Sequence, residues 1–421
     1  MPSSLTWIDH DPAARERSLR ILALFQERES RDELGLGGIR DSFADQLFPG
    51  TSTIQTRLRY MLFIPWIYTH LEKKKVPPAE FVVQADRVER SLITPLLSAD
   101  DRSGIFGSVA GKGLKRLPSS VYWAGLSAWG IRLVDLSQDQ YYRSIGTIYR
   151  RRAEQEARDR ERAHLGDDRE ATPEPGTLTW HTRLPSPPAG FPWQVDFALT
   201  AEEANFIQDR LQRTHPESLL AHLALHCKPS NIEAPWLHPD RATFRTRHIE
   251  LLYHAKCFSE VMHGAALIYN LALTEKLTLE TPDKGTNWEK MVEEYRERLS
   301  QWASKLSYSD LSAWSISQLW ELTLSQGHTI TPATRNFVQS WIKITLDRPA
   351  RLGEDGEARD LIRQREMSLK RNRSRFTNRR ALEQWGGTSG LGQLVYRWPN
   401  ARTLLNDLYV GLTSRGANAQ S

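Results

Sequence analysis

The chain has 421 residues, 39% of them hydrophobic and 25% charged, which is ordinary for a globular protein of two or three domains with a real core. Lys and Arg number 56 against 51 Asp and Glu, and the resulting formal charge of +5 argues for a polyanion partner only if the cations cluster. Two cysteines, Cys227 and Cys257, exclude a disulfide-dense secreted scaffold and fit a reducing, cytoplasmic setting.

The N-terminus shows no basic stretch followed by an apolar one, so no signal peptide is expected. Asp11-Pro12 reads as an N-cap and first helical residue, with Leu19, Leu22 and Phe25 following at helical spacing. Ser30 to Pro49 is turn-rich and partly helical. Thr53 then caps a helix carrying Ile54, Leu58, Met61 and Leu62, kinked near Met61 by Pro65. Its apolar run, Tyr60 to Tyr68, is about half the length a bilayer needs, so no membrane contact is expected. A helix over 79–97 has Phe81, Ala85, Val88 and Leu92 on one side. A glycine-rich loop over 103–115 precedes a helix opened by Pro118, and another runs from Ser137 to about Ala163. In that last helix Arg150-Arg151-Arg152 is diluted by acids and reads as an exposed, i,i+4-paired face.

Gly166 to Pro192 contains six prolines and reads as a linker or extended wrap, with room for one short strand over 177–184. Helices resume at the capping box Thr200-Ala201-Glu202-Glu203. They continue over Arg247 to Lys276, over Asn287 to Leu306 and from Thr331-Pro332. Period-two alternation is scarce, so the fold class is mainly α and multi-helical with little or no β-sheet. The segments divide as 1–165, the Pro-rich linker 166–192, a second helical domain 193–349 and a basic, aromatic-rich C-terminal region 350–421.

Catalytic signatures fail one by one. The loop Gly104 to Gly113 lacks the glycine spacing and the Ser or Thr of a P-loop, because Phe106 and Gly113 occupy those positions. It reads as a flexible turn or, with Lys112, Lys115 and Arg116, as a backbone nest for phosphate. His248, His254, Cys257 and His263 share one helical stretch at spacings that suit interior polar residues better than zinc. Glu72-Lys73-Lys74 with Asp45 has the letters of a restriction-type nuclease but lies at a helix end rather than on a strand. No catalytic residue, metal ligand or cofactor is assigned.

The dense cations are Arg363, Arg365, Lys370, Arg371, Arg373, Arg375, Arg379 and Arg380, set against the single acid Glu366. Phe376, Trp385, Tyr396 and Trp398 follow with Arg397 and Arg402. Arginine forks suit phosphate, and aromatic faces stack on bases. The segment therefore predicts a nucleic-acid surface in which Lys370, Arg371, Arg373, Arg375, Arg379, Arg380 and Arg397 meet phosphate while Trp385 or Trp398 stacks. An acidic protein partner or a solvated helix face are the competing readings.

The segment 30–50, SRDELGLGGIRDSFADQLFPG, continues as Thr51-Ser52-Thr53-Ile54-Gln55-Thr56-Arg57-Leu58-Arg59-Tyr60 and Phe63-Ile64-Pro65-Trp66. With Arg375 to Asn378, Trp385 to Gly390 and Tyr396 to Trp398 it resembles an uncharacterised bacterial domain-of-unknown-function family. That resemblance implies a component of an antiviral defence island, working beside a helicase or a phospholipase D-like nuclease, and supplies no catalytic residues. The motif reads as a folding element, or as an anion site built on Arg40, Arg57 and Arg59. The expected function is a non-enzymatic, DNA-binding subunit of an anti-phage system. The alternatives are a metal-dependent nuclease centred on Asp32, Asp41 and Asp45, and a protein-only scaffold.

Overall fold

A computed structural model describes residues 32–164, 177–226, 228–280, 287–348 and 351–414. The helix expected at Asp11 to Phe25, Cys227, and residues 165–176 of the Pro-rich segment lie outside them. The helices in chain order are α1 Gly37–Leu47, α2 Tyr60–Lys73, α3 Pro78–Ser91, α4 Ile93–Ser98, α5 Pro118–Ala128, α6 Gln138–His164, α7 Ala201–Thr214 and α8 Leu219–His226. They continue as α9 Thr246–Glu280, α10 Trp288–Lys305, α11 Tyr308–Ser312, α12 Ile316–Leu324, α13 Pro332–Asp347, α14 Gly356–Lys370, α15 Arg379–Glu383 and α16 Trp398–Thr413. No strand occurs among the described residues, and the fold is mainly α. The strand allowed for over 177–184 reduces to one isolated antiparallel bridge between Arg132 and Trp180. No described helix is long and apolar enough to cross a membrane.

Caps set several helix starts where the sequence places them. Thr200 Oγ1 accepts from Glu203 N at 3.2 Å and Glu203 Oε2 accepts from Thr200 N at 3.0 Å, the reciprocal pair of a capping box. Thr331 Oγ1 caps α13 by accepting from Thr334 N, with Pro332 at the first helical position. Asn287 does the same for α10 through Lys290 N at 2.9 Å.

Thr53 does not cap α2, which starts at Tyr60. The backbone N–H groups that would enter a helix there are already taken. Thr56 N and Arg57 N donate to Tyr122 Oη at 2.8 and 3.0 Å, and Leu58 N donates to Asp407 Oδ2 at 2.8 Å. Side chains more than sixty residues away thus outcompete local helix formation, which no sequence window reveals. The helix expected over 79–97 is two, α3 and α4, joined at Leu92.

Contacts divide the chain into two compact units, Met1–Phe43 with Glu250–Leu394 and Ala44–Ile249 with Val395–Ser421. In the first, α9 is buried on nearly every side, from Leu251 and Leu252 through Phe258 and Met262 to Ile268 and Leu271, as a central core helix should be. Trp341 Nε1 and Trp302 Nε1 donate to α9 carbonyls at Val261 and Glu260. In the second unit α2 packs on α3 and α5, and α16 packs on α7 and α8. The buried Glu72 carboxylate accepts from Trp180 Nε1 at 3.1 Å, Arg152 Nη2 at 2.8 Å, Thr179 Oγ1 and the Tyr141 hydroxyl. Arg150 pairs with Glu154 as expected, but Arg152 turns inward to Glu72, which has no other ion-pair partner among the described residues. Glu72 itself sits on a helix and is saturated with donors, which removes it from any metal role.

Candidate nucleic-acid interface

The dense cations lie on α14, on the turn 371–378 and on α15, all in the first unit. Their roles separate by burial. Ala358, Ile362 and Arg365 follow the i, i+4, i+7 spacing of the buried face of α14, and Glu366 lies beside them. Arg365 is 6% exposed. It donates from Nε to Leu34 O at 2.9 Å and from Nη2 to Thr334 Oγ1 at 2.8 Å, with its guanidinium 5.2 Å above the Phe337 ring. Lys370 and Arg375 converge on Glu33. The Lys370 ammonium contacts Glu33 Oε2, and Arg375 Nη1 lies 2.8 Å from the same oxygen. Tyr269 Oη accepts from Arg375 at 2.7 Å and donates to Glu33 Oε2 at 3.1 Å. Burial pulls the Lys370 ammonium down to about 8, with Arg375 and Arg373 adding to the effect and Asp32 opposing it.

Glu366 locks the turn from beneath. Its carboxylate accepts from the Ser374 hydroxyl and, at 2.9 Å, from Arg375 N, and burial pushes its proton affinity up. Asn378 ties the turn from the other side, donating from Nδ2 to Asn372 O at 2.8 Å and accepting from Ala381 N at 3.1 Å as the cap of α15. Arg371, Arg373, Arg379 and Arg380 project from this frame into solvent. Arg379 meets Glu383 one turn along at 3.1 Å. Arg371, Arg373 and Arg380 have no ion-pair partner among the described residues. Arg371 has φ +48° and ψ −121°, a conformation that L side chains rarely adopt.

Several expected contacts are not available. Trp385 is 5% exposed, donates to Ser389 Oγ at 3.0 Å and stacks on Trp288, so it belongs to the core and cannot receive a base. Trp398 is 1% exposed, donates to Ile232 O at 2.9 Å and packs on Phe48. Arg397 is held by Asp45 at 2.6 Å and by Thr51 O. Lys370 and Arg375 are taken up by Glu33.

The anion site imagined on Arg40, Arg57 and Arg59 is not assembled either. Arg57 is enclosed by Asp407 and Asp101, and Arg59 by Asp196 at 2.7 Å and Glu203 at 2.8 Å. Arg40 lies in the other unit beside Asp41. Lys115 is exposed, while the Lys112 side chain is outside the described residues. Asp32 shapes a turn by accepting from Leu34 N and Gly35 N, and Asp45 serves Arg397. No three His, Cys, Asp or Glu side chains among the described residues form a group able to hold a metal ion, so Asp32, Asp41 and Asp45 are not gathered into such a group. His254 accepts from Trp314 Nε1 at 2.9 Å, and burial pushes the Cys257 thiol up to about 12, so both are interior groups.

What emerges is a multi-helical protein with a rigid, arginine-bearing turn on one of its units. The chain belongs to a family of unknown function, DUF6361, whose model matches residues 2–150 and 164–411. No curated protein and no solved structure matches it.

Proposed function

We propose that this chain binds nucleic acid through the turn 371–380 and performs no chemistry there. The observation that carries the reading is the set Arg371, Arg373 and Arg380, exposed and without a carboxylate partner among the described residues, on a turn that Glu366 and Asn378 hold fixed. Guanidinium groups that are already positioned lose little freedom when they meet phosphate, and each contact releases counterions. The aromatic on the turn, Phe376, is half-buried against Tyr269, which favours backbone contact over base reading. The likeness noted in the sequence extends the reading to an anti-phage assembly containing a helicase or a phospholipase D-like nuclease.

The test is fluorescence anisotropy with duplex and single-stranded oligonucleotides across a salt series. Affinity for duplex should fall with a log–log slope of about −0.9 per phosphate neutralised. The triple variant R371E/R373E/R380E should lose binding, flatten that slope and keep the melting temperature. Arg375 is left out of the variant because it is tied into the part-buried cluster with Glu33 and Tyr269. Undiminished affinity in the triple variant refutes the placement. Retention of a stoichiometric acidic protein with no shift of DNA assigns the same surface to a protein partner.

A further inference from the structure

The second unit carries three histidines close together, His222, His226 and His248, and two of them are four residues apart on α8. His222 and His226 therefore share a helix face. Their ring centres are 4.8 Å apart, with the planes inclined at 49°. A nitrogen–metal bond of about 2.1 Å puts a ring centre roughly 3.2 Å from the ion, and two imidazoles at about 100° to one another are then separated by roughly 5 Å. The observed spacing is that of two rings able to share one ion.

Hydrogen bonds fix where the lone pairs are. The Thr243 hydroxyl donates to Asp240 O at 2.8 Å, so towards His222 Nε2, 3.3 Å away, it can only accept. Nε2 of His222 thus carries the proton, and Nδ1 carries the lone pair. His248 Nε2 faces Glu217 O at 3.0 Å and must donate to it, which leaves Nδ1 as the lone pair there too. His248 is 1% exposed, its Nδ1 has no hydrogen-bond partner among the described residues, and its ring centre is 5.4 Å from that of His222. Arg245, at the start of α9, is engaged by Glu217 at 2.7 Å. His226 is exposed and gives the ion its route in.

We propose that His222 and His226 form an open site for a borderline transition-metal ion, zinc, nickel or copper, with the buried Nδ1 of His248 as a further lone pair beside it. Because no three ligands already converge among the described residues, water fills the remaining positions. Imidazole ligands select these ions over magnesium or calcium, and affinity should rise towards copper. An ion there would fasten the last turn of α8 against the segment that starts α9.

The experiment uses the full chain after chelator treatment, titrated with Ni2+, Zn2+ and Mg2+ by calorimetry and by thermal shift. One saturable Ni2+ or Zn2+ event is expected, with a rise in melting temperature that grows with the logarithm of free metal, and no response to Mg2+. H226A removes an exposed ligand without touching the core and should abolish that event. H70A, which deletes an exposed histidine on α2, should leave it intact. Absence of saturable binding, or binding that survives H226A, overturns the proposal.

Discussion

Buried carboxyl groups without an ion-pair partner titrate late, and Glu89 has none among the described residues. It is 2% exposed, accepts from Ser119 N at 2.9 Å and Tyr68 Oη at 3.2 Å, and burial pushes it up to about 7. The folded state therefore holds the Glu89 proton more tightly than the unfolded chain does. Its contribution to stability is complete below the ordinary carboxylate range and is lost as pH rises towards and through 7. The span corresponds to about 3 kcal/mol. E89Q should flatten the fall in melting temperature between pH 5 and 8, and should be the more stable protein at pH 8. An unchanged slope would remove Glu89 as its source. At this scale the sequence is partly readable. Arg365 belongs to the apolar stripe of Ala358 and Ile362 on α14, and that spacing alone points it inward. The capture of Lys370 and Arg375 by Glu33 is not readable, because the carboxylate lies more than three hundred residues away.

At the scale of helices, Gly264 shows how packing reverses a local rule. It lies inside α9, where glycine costs about 1 kcal/mol relative to alanine, so propensity recommends G264A. A Cβ at Gly264 would stand 2.2 Å from Trp302 Cζ2 on α10. The indole is 7% exposed and anchored by its bond to Glu260 O at 2.7 Å, so it has nowhere to retreat. G264A should destabilise by roughly 1–3 kcal/mol on chemical denaturation. Helix starts with a local cap, at Thr200, Asn287 and Thr331, are legible because the determining residues are adjacent. The start of α2 is not, because Tyr122 and Asp407 decide it from far along the chain.

Across the whole molecule, composition and helical periodicity settle the fold class, while the grouping of the chain follows long-range contact. Two edges between the units fall inside α1 and α9. Proline and glycine punctuation marks loops, so it does not mark those edges. The arginine surface is half legible in the same sense: the run of cations is plain, but which of them face water depends on Glu33 and Glu366. Arg371 sets the two demands on that surface against each other. Its backbone occupies a region where a Cβ is unwelcome and glycine is at ease, at a cost of order 1–3 kcal/mol. R371G should therefore raise the melting temperature while weakening capture of oligonucleotides. If the proposed nucleic-acid contact holds, a sequence that keeps arginine at this turn accepts a softer fold in exchange for grip, and selecting the chain for heat resistance alone should discard that side chain early.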